Sequence, residues 1–334
     1  MSTITPEAAT TTATYRQAII RALGDELEAD PSVFLLGEDV GAAGGPFKMT
    51  DGLYERFGAG RVMDTPISEQ AIVGAAIGAA VKGLRPVGEI MFADFAGVCF
   101  DGIANELAKY RYMTGGQVTL PVTLRLGGGV GAGFGAQHSQ NAENWFLNVP
   151  GLKLVTPATP ADAYGLLRAS IQDPDPVLFF EHKHLFNHKG PFPERPAIVP
   201  LGVADVVRAG TDVTLVGTQA MRFKAERAAE ALADEGISVE VIDPRTIAPF
   251  DHATVIDSVQ RTGRLIVLQE ASPDGSWGAS VISRVVQENF EYLDAPPRLH
   301  AADDTPVPYA ENLETAWMPT VRTIVEAVRA TVAY

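Results

Sequence analysis

The stretch RVMDTPISEQAIVGAAIGAAVKGLRPVGEIMFADF, residues 61–95, contains the unit from which the fold is built. Residues 68–82 read as a helix, and RPVGEIMF (85–92) as an apolar run with the length of a buried strand. The alternation continues on both sides. VFLLGED (33–39), QVTLPVTLRL (117–126), LKLVTP (152–157) and PVLFFEH (176–182) read as strands, with helices over about 14–29, 97–113 and 160–172. The Pro-rich GPFPERPAIVPLG (190–202) reads as a linker. After it DVTLVGT, ISVEVID and GRLIVLQE are strands, interleaved with helices over 221–235 and 251–260 and followed by helices over 276–289 and 319–332. Such alternation implies an α/β fold of two parallel-sheet, three-layer domains. The expected boundaries are a disordered Thr/Ala-rich N-terminus over 1–13, a first domain over 14–195 and a second over 196–334.

The chain has 334 residues, 46% hydrophobic and 20% charged, with a formal charge of −15. That charge argues against nucleic acid as a partner, because phosphates need a basic surface. No apolar run reaches the ~18 residues of a membrane span. The first residues lack the basic start and apolar core of a signal peptide. The single cysteine, Cys99, excludes an internal disulfide and fits a reducing cytoplasm.

Glu69 poses the functional question. An acid in the first turn of a helix, after Thr65-Pro66 or Ser68, is by default a favourable charge at the positive end of the dipole. The residues behind it weaken that reading. Gly74, Ala75, Ala76, Gly78, Ala79 and Ala80 spend helix propensity on residues almost without side chains, which makes sense where another backbone packs closely. An acid at the tip of such a helix would be poorly solvated and its proton affinity open to tuning. In open α/β sheets ligands sit at the carboxyl ends of strands, where Glu38, Asp39, Asp94, Glu181 and Glu270 fall. RLGGGVGAGFGAQHSQ (125–140) satisfies neither G-x-G-x-x-G nor G-x-x-x-x-G-K-[ST]. Its glycines permit a wandering loop, expected to be mobile until partner and cofactor are present, that delivers His138 for acid–base work. FFEHKHLFNHKG (179–190) holds His182, His184 and His188 but matches no ligand signature, and reads as a polar loop at a domain junction. Phe92, Phe95 and Phe100 are core by default, with one of them a candidate wall for a flat ring.

Together these motifs resemble the beta subunits of the thiamine diphosphate-dependent 2-oxo acid dehydrogenases, which include the pyruvate, acetoin and branched-chain enzymes. The likeness runs from about residue 14 to the C-terminus, through FLLGEDVG, RVMDTPISE, GAAIGAAVKGLRPVGEIMFADF, AKYRYMTGG, GAQHSQ, PGLKLVTPATPADAYGLL and IDPRTIAPFD. It implies a transketolase-like pyrimidine-binding domain followed by a transketolase C-terminal-type domain. It places the family's cofactor acid at Glu69, bonded to a ring nitrogen of the aminopyrimidine. The exocyclic nitrogen can then take the thiazolium proton and generate the ylid. It places the aromatic against the pyrimidine at Phe95 and the histidine that handles substrate or lipoyl group at His138. Backbone donors of a potassium ion map to Val122, Ser170, Ile171, Asp173 and Asp175.

The family's diphosphate and magnesium motif, Gly-Asp-Gly followed at a distance by Asn, does not occur. In the resemblance it belongs to an alpha subunit, which would bind most of the magnesium. The implied assembly is an alpha₂beta₂ heterotetramer docked on a lipoyl acyltransferase core through the second domain. Residues 201–334 hold 20 Asp/Glu and 11 Lys/Arg, a formal −9, suited to a basic partner. The implied reaction is oxidative decarboxylation of a 2-oxo acid, foremost pyruvate, with acyl transfer to a lipoyl group. Acetoin cleavage and branched-chain 2-oxo acids are the alternatives. Competing classes are a complete transketolase-like enzyme, disfavoured by the missing motif, and a non-catalytic assembly subunit in which Glu69 only starts a helix.

Overall fold

The computed structural model describes residues 10–334, and among these the strands fall into two large sheets and one two-stranded ribbon. The strands are β1 (Thr10–Thr14), β2 (Val33–Gly37), β3 (Val62–Asp64), β4 (Arg85–Ile90), β5 (Thr123–Gly128), β6 (Lys153–Val155), β7 (Val177–His182), β8 (Lys189–Pro193), β9 (Asp205–Arg208), β10 (Val213–Gly217), β11 (Val239–Asp243), β12 (Thr246–Ala248), β13 (Leu265–Leu268) and β14 (Arg298–His300). The first sheet runs β12-β6-β7-β5-β4-β2-β3 and the second β14-β13-β10-β11-β9. Pairing is parallel except at two edges, β12 on β6 and β9 on β11. β5, β7, β10 and β11 are buried at every position; β7 and β10 accordingly read as apolar runs, whereas β5 and β11 bury the charged Arg125, Glu240 and Asp243.

Helices Tyr15–Ala29, Glu69–Val81, Pro160–Gln172, Gln219–Ala233, His252–Thr262, Trp277–Asn289 and Val321–Val332 match the sequence expectation closely. No helix among the described residues is long and apolar enough to cross a membrane. A single apolar cluster joins Leu124, Leu154 and Leu178 of the first sheet to Val216, Ile242, Val267 and Trp277 of the second domain.

Four differences from the sequence reading have physical causes. Residues 1–9 of the expected disordered N-terminus lie outside the described residues, but Thr10–Thr14 is a strand, paired antiparallel with β8 from the linker. A run of β-branched threonines suits that extended edge. The helix expected over 97–113 is broken into a 3₁₀ turn Ala93–Gly97, a π-helical turn Gly102–Leu107 and the short Tyr110–Met113. Gly97 and Gly102 interrupt it, and the backbone of Gly102 lies against the Val73 side chain. The strand expected from 117 begins only at Thr123, because Pro121 offers no N–H to a ladder. Finally, β12 lies in the second half of the sequence but extends the first sheet, so the chain crosses back after the linker.

The carboxyl ends of β5, β4, β2 and β3 are neighbours in the first sheet. The segments that follow β3, β4 and β5 therefore start from the same end of the sheet.

Candidate active site

Glu69 opens the helix that follows β3. Ser68 precedes it without a side-chain capping bond, and Thr65 Oγ1 donates to the carbonyl of Pro66 instead. The Glu69 carboxylate is half-buried and makes no hydrogen bond or ion pair with any described residue. Its charge is nevertheless felt. Burial raises the Glu38 carboxyl, and Asp39 and Glu69 add to the rise. Burial, with Glu69 second, pushes the Cys99 thiol up to about 12, so this cysteine is inert. On the helix behind Glu69, Gly74 and Gly78 are exposed, with open space where a Cβ would stand. The close neighbour that such a sequence suggests is not found among the described residues.

Phe95 sits on the 3₁₀ turn after β4 and His138 on the loop after β5, and the structure brings them together. Their ring centres are 5.3 Å apart, and Phe92 lies 4.6 Å from His138, both edge-on. Phe92 is buried, Phe95 half-buried, and Phe100 stacks on Phe146, away from this group. The turn and the loop are tied by Asp94, whose Oδ1 accepts from the Gln140 backbone N–H at 3.2 Å and from Gln140 Nε2 at 2.8 Å. Ala136 and Gln140 also line a cleft of about 470 Å³ that is walled on its other side by Asp274, Asp304 and Trp317 of the second domain.

The start of the glycine-rich loop is hydrogen-bonded to two carboxylates of the second domain. Glu270, just after β13, accepts the N–H of Val130 at 2.7 Å, and Glu314 accepts that of Gly131 at 2.9 Å. Gly131 and Gly133 have φ of +93° and +72°, and this left-handed backbone turns their N–H groups toward Glu314. Glu270 also bonds buried His182 Nε2 at 2.9 Å. His184 Nδ1 meets the Gly131 carbonyl at 3.1 Å, and His188 packs on Phe223 of the second domain. The three histidines thus serve the domain junction that the sequence suggested. Nothing in the sequence distinguished Glu270 or Glu314 as loop anchors, because their partners are backbone amides 140 and 183 residues away.

Two other strand-end acids are also occupied. Arg125, 1% exposed, reaches Glu89 Oε2 at 2.5 Å and both oxygens of Glu181 at 2.7 and 3.0 Å. Parallel register places Glu89 directly beside Arg125 on adjacent strands. Glu181 is therefore framework, not an open acid. Glu143, fully enclosed behind the loop, has its carboxyl pushed up to about 7 by burial, with Glu270 adding to the rise.

The five potassium positions gather at the amino end of the sheet, around the start of β7. Val122 O accepts from Val177, Ser170 O from Asp173, and Ile171 O from Arg85 Nη1 at 2.9 Å. Lys153 Nζ binds both Asp173 oxygens at 2.6 Å, and Arg111 pairs with Asp175. Lys153 and Arg111 thus occupy the Asp173 and Asp175 carboxylates, whereas the resemblance assigns the ion to backbone carbonyls, of which Arg85 reaches that of Ile171.

Comparison with known proteins bears on this geometry. Residues 11–189 match the family model of the transketolase pyrimidine-binding domain and 202–324 that of the transketolase C-terminal domain. The chain is 45% identical over 320 residues to a mitochondrial pyruvate dehydrogenase E1 component subunit beta-2 from rice, covering 95% of this chain and 85% of that protein. It is 46% identical over 324 residues to the acetoin:2,6-dichlorophenolindophenol oxidoreductase subunit beta of Cupriavidus necator, covering 94% and 96%. A solved split-gene transketolase, described as an inactive beta4 tetramer, shares the fold with a TM-score of 0.78 at 24% identity, covering 96% and 98% of the two chains. Two domains that match in order along one chain, with a strand-end acid, an aromatic turn and a histidine loop on neighbouring strands, lead to one assignment: the chain belongs to the family of 2-oxo acid and acetoin dehydrogenase E1 beta subunits built on the transketolase fold.

Proposed function

We propose that this chain supplies the pyrimidine half of a thiamine diphosphate site in an alpha₂beta₂ heterotetramer that decarboxylates a 2-oxo acid, foremost pyruvate, and passes the acyl group to a lipoyl group. The observation that carries the proposal is the Glu69 carboxylate, half-buried and without an internal partner at the carboxyl end of the sheet. Such a carboxylate fits the ring nitrogen of an aminopyrimidine. Thiamine diphosphate, when bound, supplies the carbon acid that attacks the substrate carbonyl. Glu69 would share a proton with the pyrimidine, and Phe95 would offer its face to the same ring. His138, against Phe92 and Phe95, would exchange protons with substrate or the incoming lipoyl group. The diphosphate, magnesium and much of the substrate pocket fall to the alpha subunit, since the sequence has no Gly-Asp-Gly motif. The open Gly74–Gly78 face of the Glu69 helix supports a subunit contact there. The acyltransferase core and a cytoplasmic setting belong to the same reading.

Acetoin cleavage is the second reading, favoured by 46% identity to an acetoin-oxidoreductase beta subunit, as high as the identity to pyruvate dehydrogenase subunits. Turnover of pyruvate against acetoin by the assembled enzyme separates the two. The core of the proposal is tested by Glu69→Gln in enzyme assembled with its alpha subunit. Exchange of the cofactor's thiazolium proton should slow by roughly 100- to 10,000-fold, the usual scale of general acid–base work, with assembly unchanged. Wild-type exchange in a correctly assembled variant would reduce Glu69 to a helix start.

A further inference from the structure

Two buried polar atoms near the Phe92–His138 ring contact have no hydrogen-bond partner among the described residues. One is Asp94 Oδ2, on the turn that carries Phe95. The other is Lys183 Nζ, just after β7. Lys183 is only 6% exposed. Its ammonium lies 5.6 Å from the ring centre of Phe92 and 5.8 Å from that of Phe134. Phe92 belongs to the segment leading into the Phe95 turn and Phe134 to the glycine-rich loop, and the two rings are 5.7 Å apart, with Phe92 against His138. Lys183 thus holds, from below, the two segments that carry Phe95 and His138. Asp94 joins the same two segments by accepting from Gln140.

We infer that Asp94 and Lys183 act as a coupled positioning pair that fixes His138 against Phe95. An apolar residue would fill the space under two phenyl rings at no electrostatic cost, whereas a buried ammonium is expensive unless its charge is used. Burial lowers the Lys183 ammonium to about 8, and Asp94, first among the nearby charges, opposes the fall, followed by Glu270 and Glu314. These acids face it from three elements: the turn after β4, the end of β13 and the helix Glu311–Trp317. On its own element the flanking His182 and His184 are engaged by Glu270 and Gly131. All three acids hold the histidine loop, Glu270 and Glu314 at its start and Asp94 at Gln140, next to His138 and on the turn that carries Phe95. Below about pH 8 the ammonium keeps its charge beside the Phe92 and Phe134 rings; above it that charge is lost.

The inference rests on the role proposed for His138, but its test is geometric and needs neither cofactor nor alpha subunit. Hydrogen exchange over residues 130–141 of the full chain is compared for wild type, Asp94→Asn, Lys183→Met, Lys183→Arg and the double variant Asp94→Asn/Lys183→Met. Asp94→Asn, which keeps the acceptor but loses its charge, and Lys183→Met, which removes the cation beside two phenyl rings, should each speed exchange at 138–141 by roughly three- to tenfold. Lys183→Arg should retain protection, and the double variant should be no worse than Asp94→Asn alone. Wild-type protection, corrected for intrinsic rates, should fall above pH 8, and that fall should be absent in Lys183→Arg. Additive single effects, unchanged exchange in Lys183→Met, or Lys183→Arg as disruptive as Lys183→Met would overturn the pair. Normal proton exchange in Glu69→Gln beside the expected loop behaviour would remove the cofactor reading and leave the pair standing.

Discussion

Replacing Asp243 by Asn should alter how the junction between the domains responds to pH. Asp243 ends β11, fully buried, with Oδ1 accepting the Arg245 N–H at 2.9 Å and Oδ2 without a partner. Arg245 meets Asp162 of the first domain at 2.9 Å. Burial, then Asp162, raises the Asp243 carboxyl from 3.8 to about 7, against the lowering pull of Arg222 and Arg245. The folded-state value lies above the unfolded one. Between about pH 4 and 7 the native chain therefore holds a proton that the unfolded chain has lost, and stability falls as pH rises through that window. Each unit is worth about 1.4 kcal/mol, so the two units from pH 5 to 7 amount to about 3 kcal/mol. Asparagine keeps the shape and the acceptor for Arg245 but cannot ionise. The stability difference between Asp243→Asn and wild type, from urea unfolding of the purified chain, should grow in favour of the variant by about 3 kcal/mol between pH 5 and 8. Other groups titrate alike in both proteins and cancel. Growth below about 0.5 kcal/mol would mean that Asp243 is already ionised at pH 5, and the linkage argument fails.

Arg125→Met should cost about 3–5 kcal/mol in urea unfolding, because it strands Glu89 and Glu181 as buried unpaired carboxylates. Adding Glu89→Gln and Glu181→Gln should recover much of that loss, and no recovery would point to packing rather than charge. In the assembled enzyme, His138→Ala should lower acyl transfer to lipoyl groups about 100-fold while cofactor affinity stays near wild type. Lost affinity with normal turnover per bound cofactor would reassign the histidine. Binding of a basic domain of an acyltransferase core to the second domain, whose residues 201–334 carry a formal −9, should weaken steadily between 50 and 300 mM salt, measured by titration calorimetry at roughly those concentrations. Salt-independent binding would move the contact elsewhere.

Strands such as PVLFFEH and DVTLVGT were legible because a fully buried parallel strand needs an unbroken apolar run, and that is a property of consecutive residues. Glu69 could be singled out for a similar local reason: a charge at the start of a helix of Gly and Ala is anomalous wherever the chain folds. The order of elements likewise fixed which loops reach the carboxyl end of the first sheet. Other features depended on residues far apart in sequence. The short β3, β12 and β14 have three residues each, too few for any period, and exist because a neighbouring strand offers its edge. Whether a strand-end acid is open or taken was also undecidable from spacing. Glu69, Glu181 and Glu270 look alike in sequence, yet only the tertiary structure sets Arg125 against Glu181, and His182 with the Val130 amide against Glu270, while leaving Glu69 free. A carboxylate's availability is decided by the donors that folding brings within about 3 Å of it, and those donors come from strands and loops that the linear order does not place together.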